Sequence, residues 1–460
     1  MRKNLLTLFA FVFGVPCSFA GVPAGFEKLS LKAIKDAPAP AEAPAAPSPE
    51  TPVREWTLMF FINGKSNVEQ FALADMNKLE AAGSSDKVNV VVELGRMKGQ
   101  SNDTDADGDW TGSRRYYVVR DTDTEHITSP VLLETPKADM GDYRRAADFV
   151  RWSKKNFPAK RYMLLVWDHG WGWLDPKAAV FAKPQARSVS HDFENKSYIR
   201  TTQLGPMLKE AGGVDVYASM ACFMQMAEVA WELKNHAKVI VGSEEVIQLA
   251  SFDFADILRR LEAAPEAGPE ELGGMMVESF KSLYCAPEML DQLAQTKYGV
   301  QLSAIRAGKL DGLRAKLDRW AELAMSVNDA AALKAAKTGV VRMEIGDETS
   351  DPKKLISFYA DLGNFMEIFA SGMTSVSPLA AELKQLSLDI SGYLGSELSI
   401  AQTGFSRDRA GKDYSACRGL SINIPGEPGK LIEIDNKYSD LSFAKESRWD
   451  EFTDWFARQK

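Results

Sequence analysis

A chain of 460 residues with 45% apolar and 26% charged side chains has the mixture of a folded globular protein, which excludes disorder along its whole length. Single cores stop growing at roughly 250 to 300 residues, so more than one packed unit is expected. Its 55 basic and 63 acidic residues leave a formal charge of −8, which repels phosphate backbones and argues against nucleic acid as a partner.

The chain opens as an export signal: Arg2 and Lys3, then an apolar stretch from Leu5 to Val15, then Ser18-Phe19-Ala20 as a small-x-small cleavage site. Residues 1–20 are therefore expected to be removed, which predicts a secreted or periplasmic protein. As a helix the apolar stretch rises about 16 Å against roughly 30 Å of hydrocarbon, so it is no transmembrane anchor. Lipidation at Cys17 is not expected, because Val15-Pro16 lacks the small residue such processing wants. Residues 21–53 read as a linker, dominated from Asp36 to Pro52 by Ala, Pro, Glu and Ser.

Beyond it, Trp56–Asn63 and Val88–Leu94 are apolar runs expected to form strands. Val68, Phe71, Ala72, Met76 and Leu79 recur between them at helical spacing, with Asn67 placed as a cap and Gly83 as a stop. The pattern repeats through helices at 142–155, 202–211 and 224–235 and strands at 162–167, 214–218 and 238–242. Strands apolar on both faces that alternate with helices predict an α/β unit with a mainly parallel sheet covered on both sides, over 54–264. Residues 265–398 read as a mostly helical subdomain. The segment 399–460 is expected to return a strand (Gly419–Pro425) and a helix (Ser447–Phe456) to the α/β core.

After loss of Cys17 the cysteines are Cys222, Cys285 and Cys417, an odd number for an exported chain. Either one thiol has a task, or all three are small buried hydrophobes. In an open α/β sheet ligands sit beyond the carboxyl ends of the strands. There the strand 162–167 runs into Asp168-His169-Gly170, and the strand from Val214 runs through Met220 into Cys222. An imidazole or a helix start beside a cysteine lowers its pKa and makes the thiolate nucleophile, and a helix from Met224 would supply such a start. Spacing alone leaves two readings open: a catalytic pair, or a buried cysteine with a structural histidine.

The wording of these segments resembles the clostripain family of cysteine peptidases. The likeness lies in WTLMFFIN (56–63), KSNVE (65–69), AAGSSDKVNVVVELGR (81–96), GDWTGSRRYYV (108–118) and ADMGDYRRAADFVRW (138–152). It continues in FPAKRYMLLVWDHGWGW (157–173), ASMACFMQMAEVAWEL (218–233) and VGSEE (241–245), and resumes at GLSINIP and SFAKESRWDEF. The resemblance implies a caspase-like fold and a cysteine endopeptidase acting on proteins or peptides. It assigns His169 as the catalytic histidine, Cys222 as the nucleophile, and the backbone of Gly170 and Cys222 as the oxyanion hole. The family usually carries an acid two places before the cysteine, in a pocket for Arg or Lys; here Met220 stands there. Asp253 is similar to a downstream acid of the family and is the candidate pocket carboxylate, with Glu244 and Glu245 as rivals and a surface carboxylate or helix cap as the plainer reading. The family also implies an internal cut, expected within Leu174–Ser188 at Lys177-Ala178 or Arg187-Ser188.

No cofactor is required by this chemistry. Calcium is the one metal for which the sequence offers a ligand pattern, Asp103, Asp105, Asp107 and Asp109 around Gly108, although Arg114 occupies the twelfth place where a bidentate acid belongs. The alternative there is a plain acidic loop. His126, His191 and His236 have no metal-ligand spacing. The rival function is a non-catalytic relative that binds peptides or proteins at the cell envelope.

Overall fold

The computed structural model describes residues 52–100, 103–175, 189–248, 251–346, 355–408, 411–426 and 437–459. The expected signal peptide, nearly all of the linker and both expected cleavage bonds lie outside the described residues.

Through the first half of the chain, runs of β-branched and aromatic residues alternate with amphipathic stretches, and they fold accordingly. Strand β1 (Arg54–Gly64) leads to helix α1 (Glu69–Glu80), β2 (Val88–Arg96), β3 (Gly112–Tyr117), β4 (Val131–Thr135) and α2 (Tyr143–Asn156). There follow β5 (Ala159–Trp167), a small hairpin of β6 (Val189–Asp192) and β7 (Ser197–Ile199), α3 (Thr201–Glu210), β8 (Val214–Met220), α4 (Ala227–Leu233) and β9 (Ala237–Gly242). Then come α5 (Phe254–Ala263), α6 (Pro269–Tyr284), α7 (Pro287–Thr296) and β10 (Val300–Arg306).

Next are α8 (Leu310–Val327), α9 (Ala330–Gly339), β11 (Arg342–Gly346), β12 (Leu355–Asp361), α10 (Leu362–Gly372), α11 (Pro378–Tyr393) and β13 (Ser399–Phe405). The chain closes with β14 (Ser421–Asn423), α12 (Ser442–Glu446) and α13 (Trp449–Ala457).

Nine strands form one mixed sheet in the order β13-β10-β9-β8-β5-β1-β2-β3-β4. Its five central strands, β9 to β2, are parallel, and the pairs at both edges are antiparallel. Side chains alternate across β1, so the sheet divides two cores. Leu58, Phe60 and Ile62 pack with Val90, Leu165, Met76 of α1, Leu258 of α5 and Met276 of α6. Met59 and Phe61 face the other way, toward Phe149 of α2, Met207 of α3 and Val229 of α4. Burying each such side chain contributes roughly 1.5–3 kcal/mol, so both faces of the central strands act as anchors.

The sequence placed a mostly helical subdomain at 265–398, and helices do predominate there. Three strands also lie in it, and one of them, β10, is inside the main sheet, paired to β9 and β13. This stretch is therefore continuous with the α/β core. Strand β10 was obscured because Gln301 and Ser303 interrupt its apolar pattern, although both are fully buried. The other two strands, β11 and β12, join β14 in a second, three-stranded sheet. The helices of the second half extend the core around Trp320, whose ring lies 5.0 Å from Phe369 and 4.9 Å from Phe452.

Candidate active site

The register of the sheet sets the site. Strands β5 and β8 are adjacent and parallel, with Trp167 opposite Met220. Two residues past each lie His169 and Cys222, so both side-chain types enter at the carboxyl end of the sheet, where the sequence analysis looked for them. The two turns are pressed together. A Cβ on Gly170 would sit 2.3 Å from the Cys222 carbonyl oxygen and 2.9 Å from its nitrogen, so only glycine fits. Neither the Gly170 nor the Cys222 N–H donates to a backbone oxygen among the described residues.

His169 Nε2 lies 2.8 Å from Asn67 Oδ1. An amide oxygen only accepts, so this contact assigns the ring hydrogen to Nε2 and leaves Nδ1 as the basic nitrogen. The ring also lies parallel to Phe193, with centroids 6.5 Å apart, and meets the edge of His191 at 5.9 Å. Neighbouring Asp168 is buried and accepts from Ser66 Oγ (3.1 Å), Asn63 Nδ2 (3.2 Å) and the His191 amide. It braces the turn after β5 against the end of β1 and the start of the hairpin. Lys65, fully buried, completes that brace through Asp192 at 2.9 Å.

Electrostatics at the pair correct one expectation. The sequence placed a helix start just after Cys222, but α4 begins only at Ala227, with Met226 at its N-terminal boundary and no side-chain cap. Between them Phe223 adopts a left-handed conformation (φ 63°), costly for a bulky residue, and its N–H donates to the Glu245 carbonyl at 3.3 Å. No helix dipole reaches the sulfur. Burial, with added repulsion from Glu245 and Asp168, pushes the Cys222 thiol up to about 12, despite the nearby Ile247 amide. Burial lowers His169 to about 4. Both shifts favour an uncharged thiol and an uncharged imidazole at rest, without the help that a helix start was expected to give the thiolate.

Met220 is 8% exposed and belongs to the apolar core beside Trp167 and Phe252. Asp253 caps α5, accepting from the Asp256 amide at 2.9 Å. Glu245 is committed to the Val246 amide (2.7 Å) and to the Tyr414 hydroxyl. The four aspartates of the acidic loop do not converge into a ligand set among the described residues. Asp103 accepts from Gly99 N (2.7 Å), Asp107 from Ile127 N (2.8 Å), and Asp109 pairs with Lys98 (2.7 Å). Asp103 closes a local turn, Asp107 and Asp109 reach other segments, and Arg114 lies away in β3, paired with Glu134. His126 sits on surface Asp123.

Asn67 is the residue that sequence reasoning misplaced. Val68 stands at the start of α1, with no side-chain cap, and Asn67 turns to His169 instead. The reason lies in the pairing of β1 with β5, Ile62 opposite Trp167, which brings the segment after β1 beside His169.

A doubly covered sheet with a histidine and a cysteine closing neighbouring strands defines the class of fold found in caspase-like peptidases. The sequence profile of the clostripain family matches residues 60–455, and the chain belongs to that family. Clostripain of Hathewaya histolytica is 23% identical over 296 residues, which is 58% of this chain and 55% of that protein, so the match spans about half the length of this curated relative. Two solved structures share the fold. A secreted C11 cysteine protease from Bacteroides thetaiotaomicron, in complex with an irreversible peptide inhibitor, superposes with a TM-score of 0.57 at 18% identity over 87% of this chain and 99% of that one. An inactive zymogen C11 protease from Parabacteroides distasonis gives 0.57 at 16% identity over 88% and 99%.

Proposed function

We propose that this chain is an exported cysteine endopeptidase in which Cys222 attacks the peptide carbonyl and His169 moves the proton. The observation that carries the reading is the register of β5 on β8, which stations both residues two positions past a matched pair. Because thiol and imidazole start neutral, the Sγ proton passes to Nδ1 as the sulfur adds to the carbonyl carbon. The developing oxyanion falls to the N–H groups of Gly170 and Cys222. The imidazolium then protonates the leaving amine, giving an acyl-enzyme, and His169 next activates the water that releases the acid.

A basic P1 side chain requires a partner charge, since a buried unpaired cation is strongly disfavoured. Met220 supplies none. Asp253 is the proposed substitute, because its cap bond engages Oδ1 and leaves Oδ2 for a ligand. Maturation by a cut at Lys177-Ala178 or Arg187-Ser188 belongs to the same proposal.

Met220 also favours the second reading, a relative that binds peptides without cleaving them. A peptide-based acylating probe separates the two: labelling of Cys222 in the full chain, lost in His169→Ala, supports the peptidase. No labelling and no hydrolysis in a positional-scanning peptide library would leave the binding module.

A further inference from the structure

Away from the Cys222 turn, three buried acidic groups meet where the end of β9, the end of β12 and the segment before β14 come together. Glu244, Asp361 and Cys417 each offer one ligand atom, and all three atoms lie within 4.8 Å of one another. Asp361 is partly satisfied, accepting from the Asn364 and Arg418 amides at 2.6 Å each. Glu244 is not. It is fully buried, its carboxyl faces that of Asp361 with the Gly419 amide close by, and neither carboxylate oxygen meets a donor of ordinary hydrogen-bond geometry among the described residues. Arg418, whose charge acts on Asp361 and Cys417, is engaged with Glu367 (3.0 and 3.1 Å) and with the carbonyls of Ala416 and Cys417. Among the described residues, two carboxyls and a thiol are therefore enclosed with no free positive charge beside them, and such an arrangement needs a cation or retained protons.

We propose that Glu244, Asp361 and Cys417 form a binding site for one divalent cation of the zinc class. The donor set selects the metal: a thiolate suits zinc or cobalt, whereas calcium takes six to eight oxygens. At bond lengths of about 2.3 Å to sulfur and 2.0–2.2 Å to oxygen, tetrahedral ligand atoms stand roughly 3.3–3.8 Å apart, so a small inward adjustment closes the set. Three protein ligands leave the fourth place for water. On binding, Cys417 gives up its thiol proton and the Glu244–Asp361 pair gives up the proton retained between its carboxyls, both to solvent, so the ion replaces protons that burial otherwise forces onto the cluster. The location gives the site a structural task. Adjacent Glu245 holds the Phe223 amide beside Cys222, and Asp361 and Cys417 belong to the later half of the chain. One ion would tie the Cys222 turn to that half. Nothing in this inference depends on peptidase activity.

Cobalt(II) added alone to chelator-treated full-length protein tests it. We expect one equivalent to bind with a thiolate-to-cobalt charge-transfer band in the near ultraviolet, unchanged in Cys222→Ala and lost in Cys417→Ser. Glu244→Gln, nearly isosteric, should weaken cobalt binding at least tenfold and serves if the cysteine variant fails to fold. Zinc should raise the Tm of the wild type and not of Glu244→Gln. The proposal is overturned by absence of cobalt binding, by a band that survives Cys417→Ser, or by one that disappears with Cys222→Ala. It is also overturned if zinc leaves the wild-type Tm unmoved while Glu244→Gln is the more stable protein, for the cluster then shares a proton.

Discussion

Asn67 offers the sharpest test of the proposed chemistry, because it touches the base and not the nucleophile. In the resting state Nε2–H donates a neutral hydrogen bond to Oδ1 at 2.8 Å, worth about 1 kcal/mol net. Once Nδ1 takes the thiol proton, the same bond comes from an imidazolium and is worth about 1.5–3 kcal/mol. The difference, about 0.5–2 kcal/mol, is present only after proton transfer. Asn67→Ala should therefore lower kcat/KM about tenfold through kcat, with KM little changed, and cost about 1 kcal/mol in thermal unfolding. Asn67→Asp asks the complementary question. A carboxylate beside Nε2 stabilises the imidazolium, so His169 should rise from about 4 by roughly one to three pH units. The acid limb of kcat/KM follows the fraction of neutral imidazole, and it should move upward with it. Steady-state hydrolysis of a fluorogenic peptide across pH 4 to 8 reads both variants. A kcat/KM for Asn67→Ala within twofold of wild type, or an acid limb for Asn67→Asp that stays near pH 4, would refute the role of Asn67 and the assignment of the basic nitrogen to Nδ1.

Cys222→Ala should abolish turnover with thermal unfolding unchanged within about 1 kcal/mol, while exposed Cys285→Ala keeps full activity; wild-type rates in the first variant would remove the nucleophile. Asp253→Asn preserves the α5 cap, since asparagine caps as well as aspartate, so a selective loss of kcat/KM for Arg and Lys substrates would report the pocket, and equal losses for all substrates would exclude it. Glu228 is buried and lifted to about 7, with Oε1 accepting from the Asn423 amide and the Tyr438 hydroxyl at 2.8 Å each. Its folded-state pKa lies above the unfolded 4.5, so the native state holds the proton longer and wild-type stability falls as pH rises from about 4.5 to 7. Glu228→Gln does not titrate, and its stability relative to wild type should rise by up to about 3 kcal/mol across that window; a gap that does not change with pH would refute it. Wild type incubated after purification should yield two associated chains by mass spectrometry and Cys222→Ala one, whereas a nicked Cys222→Ala would point to a foreign protease.

The central strands were legible because each is apolar on both faces, and the places of His169 and Cys222 at one end of the sheet were legible because each stands two positions past such a run. What escaped is what sequence spacing does not encode. Strand β10 carries buried Gln301 and Ser303, and polar atoms inside a sheet look like surface until the partners are known. Asn67 sits where a cap is expected, and only pairing of β1 with β5 redirects it. The helix expected from Met224 starts later because Gln225 N is held by the Ser243 carbonyl at 3.0 Å, which keeps the segment after Cys222 extended toward β9. Asp253 illustrates the converse, since the cap that sequence reasoning weighed against a pocket role is present in the fold.

The frame around the cysteine turn has an implication in time. Gln225 O accepts from Ser421 N at 3.1 Å, Glu228 from Asn423, Glu232 from Ser442 N at 2.8 Å, and Trp231 packs on Phe443. These partners lie about two hundred positions further along the chain, and contacts of such separation form slowly because the loop must first be closed. A chain emerging from its amino end thus exposes His169 and Cys222 long before the residues that hold their surroundings exist. The frame of α4 behind the Cys222 turn is therefore complete only once residues 421–443 have been made, and those residues act as a clock for the turn they hold.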